Sequence, residues 1–159
     1  LFAAAMILYP IWYDPYRDRL CALEDVLDIL EAQSRAWRDD HRGWVACGMR
    51  LWKRPHLQSI FGRSKRIIFQ NNLAKAHHTS TRHQRNLMVW ASGHQDLAFP
   101  TTRIEDGFLR SRGLGATLTP PLSLVADRLG IYYDQRAPSQ LEQMIADTVT
   151  LRPDQKARA

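Results

Sequence analysis

An α/β fold, with a parallel sheet flanked by helices, follows from three features of this sequence. Short apolar runs alternate with segments of helical spacing, the pattern of linked β-α-β units. The runs are continuously apolar, as strands buried on both faces of a parallel sheet are. Third, a chain of 159 residues that is 45% apolar fits one globular domain and can bury roughly two thirds of its unfolded surface.

Each element has a local reason. Leu20, Leu23, Leu27 and Leu30 recur at helical spacing, widened by Val26 and Ile29, with Glu24, Asp25, Asp28 and Glu31 mostly opposite. This predicts an amphipathic helix over about 23–38, in which Glu31 and Arg35 make a favourable pair one turn apart. "WVACGM" (44–49) reads as a strand, and "RPHLQSIFG" as a short helix with Pro55 in its first turn and Gly62 after it. "RIIFQ" (66–70) is a strand, "NLAKAHHTSTRHQ" a weak helical pattern or a loop, "NLMVWAS" (86–92) a strand. "TTRIED" is a strand ending at Gly107. "PPLSLVADRLG" reads as a short helix opened by proline and closed by Gly130, and "IYYD" as a strand. Ser139 and Glu142 have capping-box spacing ahead of "LEQMIADTV".

Composition narrows the class. Cys21 and Cys47 make no disulfide framework, which fits a reducing cytoplasm, and Cys47 in an apolar strand reads as inert core. The opening "LFAAAMILYPIWYDP" is interrupted by Pro10 and too short to span a bilayer. It lacks the charged head of a signal peptide and reads as the end of a helix or linker of a fragment. Net charge is +6, unevenly placed: residues 41–95 hold no Asp or Glu but ten Arg or Lys and all six His. That tract implies an anionic partner such as a nucleotide, an acidic sugar, a membrane surface or nucleic acid, unless arginine merely serves solubility.

The chemistry concentrates at "RIEDGFLRSRGLG". In a parallel α/β sheet ligands sit beyond the carboxyl ends of the strands, where Glu105, Asp106 and Gly107 fall. Adjacent strand residues point to opposite faces, so one carboxylate reacts or binds and the other orients it or caps a turn. The plain alternative is a surface "EDG" turn. "SRGLG" is either a phosphate-cradling loop or an ordinary one, since it matches neither dinucleotide nor P-loop spacing. His77, His78 and His83 lack metal-site spacing and sit among positive charges, so no metal is assigned. Asp127 and Arg128 read as a solvated helix face, and Trp37, Trp44, Trp52 and Trp90 as packing. No nucleic-acid motif accompanies the basic tract.

The block "RIEDGFLRSRGLGATLTPPLSLVADRLGIYYDQRAPSQLE" closely resembles the signature of the KpsC-type capsule polysaccharide proteins, which transfer β-linked Kdo, an acidic sugar. "YPIWYDP", Cys21 with "LEDV", and "LWKRP" extend the likeness over nearly the whole chain, and the opening is similar to the start of the family's carboxy-terminal transferase module. One departure is "VWASG", where the family has V-W-G and the glycine is displaced to Gly93. The resemblance implies a Rossmann-like lobe (1–159) of a two-lobed, GT-B-like glycosyltransferase, with a leader or linker over 1–22 and a helix over 139–159 leading to a second lobe that carries a His-Pro motif. It implies a retaining transfer from CMP-Kdo to a phosphatidylglycerol-linked Kdo acceptor, with no metal or other cofactor. Asp106 is then the nucleophile and Glu105 its support. Arg103, Gly107, Arg110, Ser111, Gly113, Gly115, Lys53 and Arg54 bind substrate, which suits a chain with 18 arginines among its 22 basic residues. The expected location is the cytoplasmic face of the bacterial inner membrane, against anionic lipid and the capsule export machinery. The competing readings are a non-catalytic capsule export or assembly subunit and, more distantly, a basic RNA-binding domain.

Overall fold

In the computed structural model the described residues are 1–91, 97–109, 118–119, 121–151 and 153–156. The chain divides into two units, Leu1–His41 and Arg42–Ala159.

In the first unit a hairpin pairs β1 (Trp12–Asp14) with β2 (Arg19–Cys21), with Trp12 opposite Cys21 and Asp14 opposite Arg19. Its turn is organised by Asp14, whose buried carboxylate accepts the Tyr16 and Arg17 backbone N–H groups at 2.9 and 3.2 Å and the Arg17 guanidinium at 2.8 Å. Asp18 takes the left-handed conformation there, which aspartate tolerates better than most residues. Helix α1 (Leu23–Asp40) follows, with Glu24 and Asp25 in its first turn, where negative charge suits the helix dipole. The expected Glu31–Arg35 pair is formed at 2.6 Å.

In the second unit five strands lie in the order β4-β3-β5-β6-β7: β3 (Trp44–Cys47), β4 (Ile68–Gln70), β5 (Asn86–Trp90), β6 (Thr102–Asp106) and β7 (Leu124–Asp127). The first four in that order are parallel. Helix α2 (Arg54–Phe61) links β3 to β4, α3 (Leu73–His83) links β4 to β5, and α4 (Gln140–Asp147) and the single turn α5 (Pro153–Lys156) close the chain. Every residue of β3 is buried, so its side chains feed two cores. Trp44 and Ala46 join Met49, Leu57 of α2, Ile67, Met88 and Ile104 on one face. Val45 and Cys47 join Ala76 of α3, Leu87 and Val89 on the other. Burial accordingly raises the Cys47 thiol pKa. The weak helical pattern at 72–84 is a helix, begun by Asn72, whose side chain accepts the Lys75 N–H at 3.0 Å. Both halves of the Ser139–Glu142 capping box are present.

Three expectations fail after the glycine-rich block. Residues expected as a helix form β7, antiparallel to β6, with Asp106 opposite Leu124 and Arg103 opposite Asp127. The sheet is therefore mixed. The open edge of β6 offers a ladder of hydrogen bonds, and pairing there outweighs a weak helical preference. Asp127, expected in solvent, is 1% exposed. Its Oδ1 accepts the Leu129 and Gly130 N–H groups at 2.8 and 2.9 Å, and its Oδ2 accepts the Gln140 N–H at 2.8 Å. That carboxylate binds the end of β7 to the start of α4. "IYYD" is a turn rather than a strand, closed by the Asp134 N–H to the Ile131 carbonyl at 2.9 Å.

Candidate functional site

The strand order runs outward from β3, with β4 on one side and β5 on the other. Such a reversal opens a crevice at the carboxyl ends of the strands. Three chain segments end there. The 3₁₀ turn Leu51–Lys53 follows β3, Trp90 closes β5, and Asp106 closes β6.

Period-two geometry separates the two carboxylates. Thr102, Ile104 and Asp106 are buried, whereas Arg103 and Glu105 between them are half-buried. Asp106 meets Lys53, whose Nζ lies 3.3 Å from Asp106 Oδ1, with the side chains only 14% and 8% exposed. The Lys53 ammonium also sits 3.2 Å from the centre of the Trp90 ring and 5.1 Å from that of Trp52. Burial lowers the Lys53 pKa, opposed by the pull of Asp106 and Glu105. A cation held between a carboxylate and indole faces is strongly oriented, because the cation–π attraction grows as water is excluded. Glu105 turns the other way. Its Oε1 accepts the Asp106 N–H at 3.0 Å, and its Oε2 accepts the Tyr133 hydroxyl at 3.2 Å. Burial first, and the Glu105 charge second, push the Tyr133 phenol up to about 12.

The neck of the glycine-rich segment is closed by Ser123. The Gly107 N–H donates to the Ser123 carbonyl at 2.8 Å, and the Ser123 N–H to the Leu109 carbonyl at 3.1 Å. The Ser123 hydroxyl accepts the Leu109 N–H at 3.0 Å. A Cβ on Gly107 would stand 2.2 Å from Ser123 Oγ and 2.8 Å from its backbone carbonyl. The close approach at Gly107 is thus made by the chain itself.

Among the residues singled out from sequence, Lys53 and Asp106 come together, and Glu105 is beside them in the chain but faces Tyr133. Arg103 lies on the Glu105 side of the strand and adds to the charges that hold Asp134 at about 2, chiefly the hydrogen bonds from Arg136. Arg54 goes elsewhere. Its guanidinium donates to the Met49 carbonyl at 3.2 Å and to Asn71 Oδ1 at 2.9 Å, and lies 5.0 Å from the Phe69 ring centre. Arg110, Ser111, Gly113 and Gly115, with Gly93 of "VWASG", lie outside the described residues. His77 stacks on Phe99 at 4.0 Å.

Sequence reading missed the walls of this crevice. Trp52, Lys53, His56, Trp90, Asp106 and Leu124 line a small cavity of about 10 Å³. From the sequence Trp52 and Trp90 read as packing, and no motif marks His56. The available signal was position: Trp90 is the last residue of an apolar run, and "WKRPH" places Trp52 and His56 one helical turn apart.

Residues 75–159 match the family described as capsule polysaccharide biosynthesis protein. The capsule polysaccharide modification protein LipA of Neisseria meningitidis is 36% identical over 154 residues, which cover 91% of this chain and 22% of LipA. The lipopolysaccharide-processing protein LpsZ of Rhizobium meliloti is 54% identical over 50 residues, 31% of this chain and 11% of LpsZ. Among solved structures, the Thermosulfurimonas dismutans KpsC β-Kdo 2,7 transferase superposes with a TM-score of 0.51 at 28% identity, over 65% of this chain and 36% of that one. The chain thus spans about a fifth of the length of the LipA protein it matches.

Proposed function

The chain belongs to the capsule polysaccharide biosynthesis protein family, and on that premise we propose that it is the amino-terminal lobe of a retaining β-Kdo transferase. The enzyme takes Kdo from CMP-Kdo and builds the poly-Kdo linker on the lipid anchor of capsular polysaccharide. The observation that carries the reading is the buried Lys53–Asp106 pair at the carboxyl ends of β3 and β6, the place where α/β sheets bind ligands. The fold shared with a β-Kdo transferase supports it.

The reaction follows double-displacement logic. An Asp106 carboxylate oxygen forms a bond to the anomeric carbon while the bond from that carbon to the phosphate oxygen breaks, and CMP leaves with the electron pair. An acceptor hydroxyl then attacks the same carbon, loses its proton to a base and releases the Asp106 carboxylate. Lys53 holds Asp106 in one orientation by a charge-assisted hydrogen bond, and its ammonium suits the carboxylate of the incoming sugar. Glu105 acts through the backbone: it grips the Asp106 N–H and leans on Tyr133, setting the strand end from which Asp106 projects.

The same proposal puts the protein at the cytoplasmic face of the inner membrane, supported by the net charge of +6 and the acid-free tract 41–95. No helix among the described residues is long and apolar enough to cross a membrane. A second reading, a capsule assembly subunit without catalysis, draws on the same coverage of Asp106, since a buried ion pair also serves architecture alone.

One experiment separates the two. In the intact protein, with CMP-Kdo and a Kdo-primed lipid acceptor, Asp106→Asn abolishes turnover by several orders of magnitude, far beyond any unfolded fraction seen in a melt. Glu105→Gln costs about 10–100-fold, as loss of an orienting partner does. Near-normal turnover by Asp106→Asn sinks the nucleophile assignment, and a wild-type protein with no transfer favours the assembly subunit.

A further inference from the structure

Lys53 crosses a strand to reach Asp106. In the sheet β5 lies between β3, which leads into Lys53, and β6, which ends at Asp106. The two outer strands are two spacings apart, about 10 Å. The last residue of β5 is the surface that the lysine crosses: its ammonium lies 3.2 Å from the centre of the Trp90 ring and 3.3 Å from Asp106 Oδ1. Trp90 is itself held in place. Its Cα stands opposite Ile104 of β6, and its half-buried side chain packs on the core cluster that includes Met88 and Ile104. We propose that Trp90 is a positioning residue for the Lys53–Asp106 pair: its indole face carries the Lys53 ammonium across β5 and holds it, charged, against Asp106. The inference rests on the reading of Asp106 as nucleophile and names what aims its partner.

Packing alone does not call for an indole here, since any large apolar side chain fills a strand end. An ammonium laid on a plain apolar surface loses water and gains nothing in return. An aromatic face returns some of that loss through its quadrupole, and tryptophan does so best. With the Lys53 side chain only 14% exposed, the contact favours the charged amine by a factor of about 3–30. Other groups act on the same amine. Asp106 and Glu105 of β6 attract it and Arg50, ahead of the turn, repels it, while His56 of α2 is the further titratable side chain on that cavity. The carboxylates attract the ammonium from whichever side it comes; the ring face fixes it over one spot. A neutral amine no longer gives Asp106 a charge-assisted hydrogen bond, so Trp90 widens the pH range over which Asp106 stays aimed.

The test uses the intact protein and a readout that needs no turnover: competitive acetylation with acetic anhydride across a pH series, followed peptide by peptide by mass spectrometry. Lys65 and Lys75, both exposed, are internal references. Trp90→Leu keeps apolar bulk without a π face. Tetrafluorotryptophan at position 90 keeps the ring shape and cancels most of its quadrupole, so the π face is tested with packing intact even where Trp90→Leu does not fold. Both changes are expected to raise the acid dissociation constant of Lys53 about 3–30-fold. The Lys53 labelling midpoint then moves to lower pH, while those of Lys65 and Lys75 stay. The alkaline limit of sugar transfer moves down with it. A Lys53 midpoint that stays put in the fluorinated protein overturns the proposal, whatever Trp90→Leu does, because lost packing then explains the leucine variant. Midpoints of Lys65 and Lys75 that move as far as that of Lys53 overturn it too. If the Lys53 midpoint moves as expected while the wild type transfers no sugar, the transfer reading fails and the hold of Trp90 on the ion pair stands.

Discussion

Lys53 and Asp106 are 53 residues apart in the chain, and a double-mutant cycle measures what binds them. At 3.3 Å the direct attraction is about 5 kcal/mol for an effective dielectric near 20. Desolvation of two largely buried groups offsets much of this. Lys53→Met keeps the stem but loses the ion pair and the cation–π contact, and leaves the Asp106 carboxylate without Lys53 against the indoles, at a cost of about 3 kcal/mol. Asp106→Asn still accepts a hydrogen bond but no longer balances the ammonium, at about 2 kcal/mol. The double variant removes both charges together and costs about 3 kcal/mol, so the coupling is about 2 kcal/mol. Hydrogen exchange on peptides covering β3, β5 and β6 in the intact protein reads the opening free energy of this sheet directly. Costs that add to within about 0.5 kcal/mol refute the reasoning, because independent sites behave that way.

Two further outcomes follow from the geometry. Gly107→Ala drives a Cβ into the Ser123 backbone and threatens the 2.8 Å Gly107–Ser123 hydrogen bond, so the same exchange measurement is expected to show the β6–β7 pair loosened by about 2–4 kcal/mol; an unchanged pair counts against the tight neck. Tyr133, raised from 10.0 to about 12, contributes stability that is fully present below pH 10 and lost as pH rises through about 12. A melt series across that window should fall less steeply in Tyr133→Phe, and an identical fall in both proteins removes Glu105 and burial as the cause.

Much of the architecture is legible from local rules. The Ser139–Glu142 capping box, the Glu31–Arg35 pair and the stop at Gly62 each concern residues within about four positions, where helix geometry alone sets the neighbours. The β3 and β5 runs are apolar enough to declare themselves as buried strands, whereas β4 is half-buried and β6 alternates buried and half-buried residues. The divergence of Glu105 and Asp106 needs only the period of a strand, and the structure bears it out: one carboxylate meets Lys53, the other Tyr133.

What the tertiary structure alone decided lies between segments distant in sequence. Residues 124–127 are a strand because β6 had an open edge, and nothing within "LVAD" records that edge. Asp127 looks like a solvated charge until Leu129, Gly130 and Gln140 turn their N–H groups on it. Lys53 and Arg54 are neighbours of the same charge, yet one reaches Asp106 and the other Met49 and Asn71, because successive residues at a helix start point about 100° apart. Up to β6, sequence determined which segments are strands or helices, since those follow from short-range periodicity; just beyond the glycine-rich block it did not. Which strand ends converge, and so which cation meets which carboxylate, depends on strand order and register, which exist only once the sheet has formed.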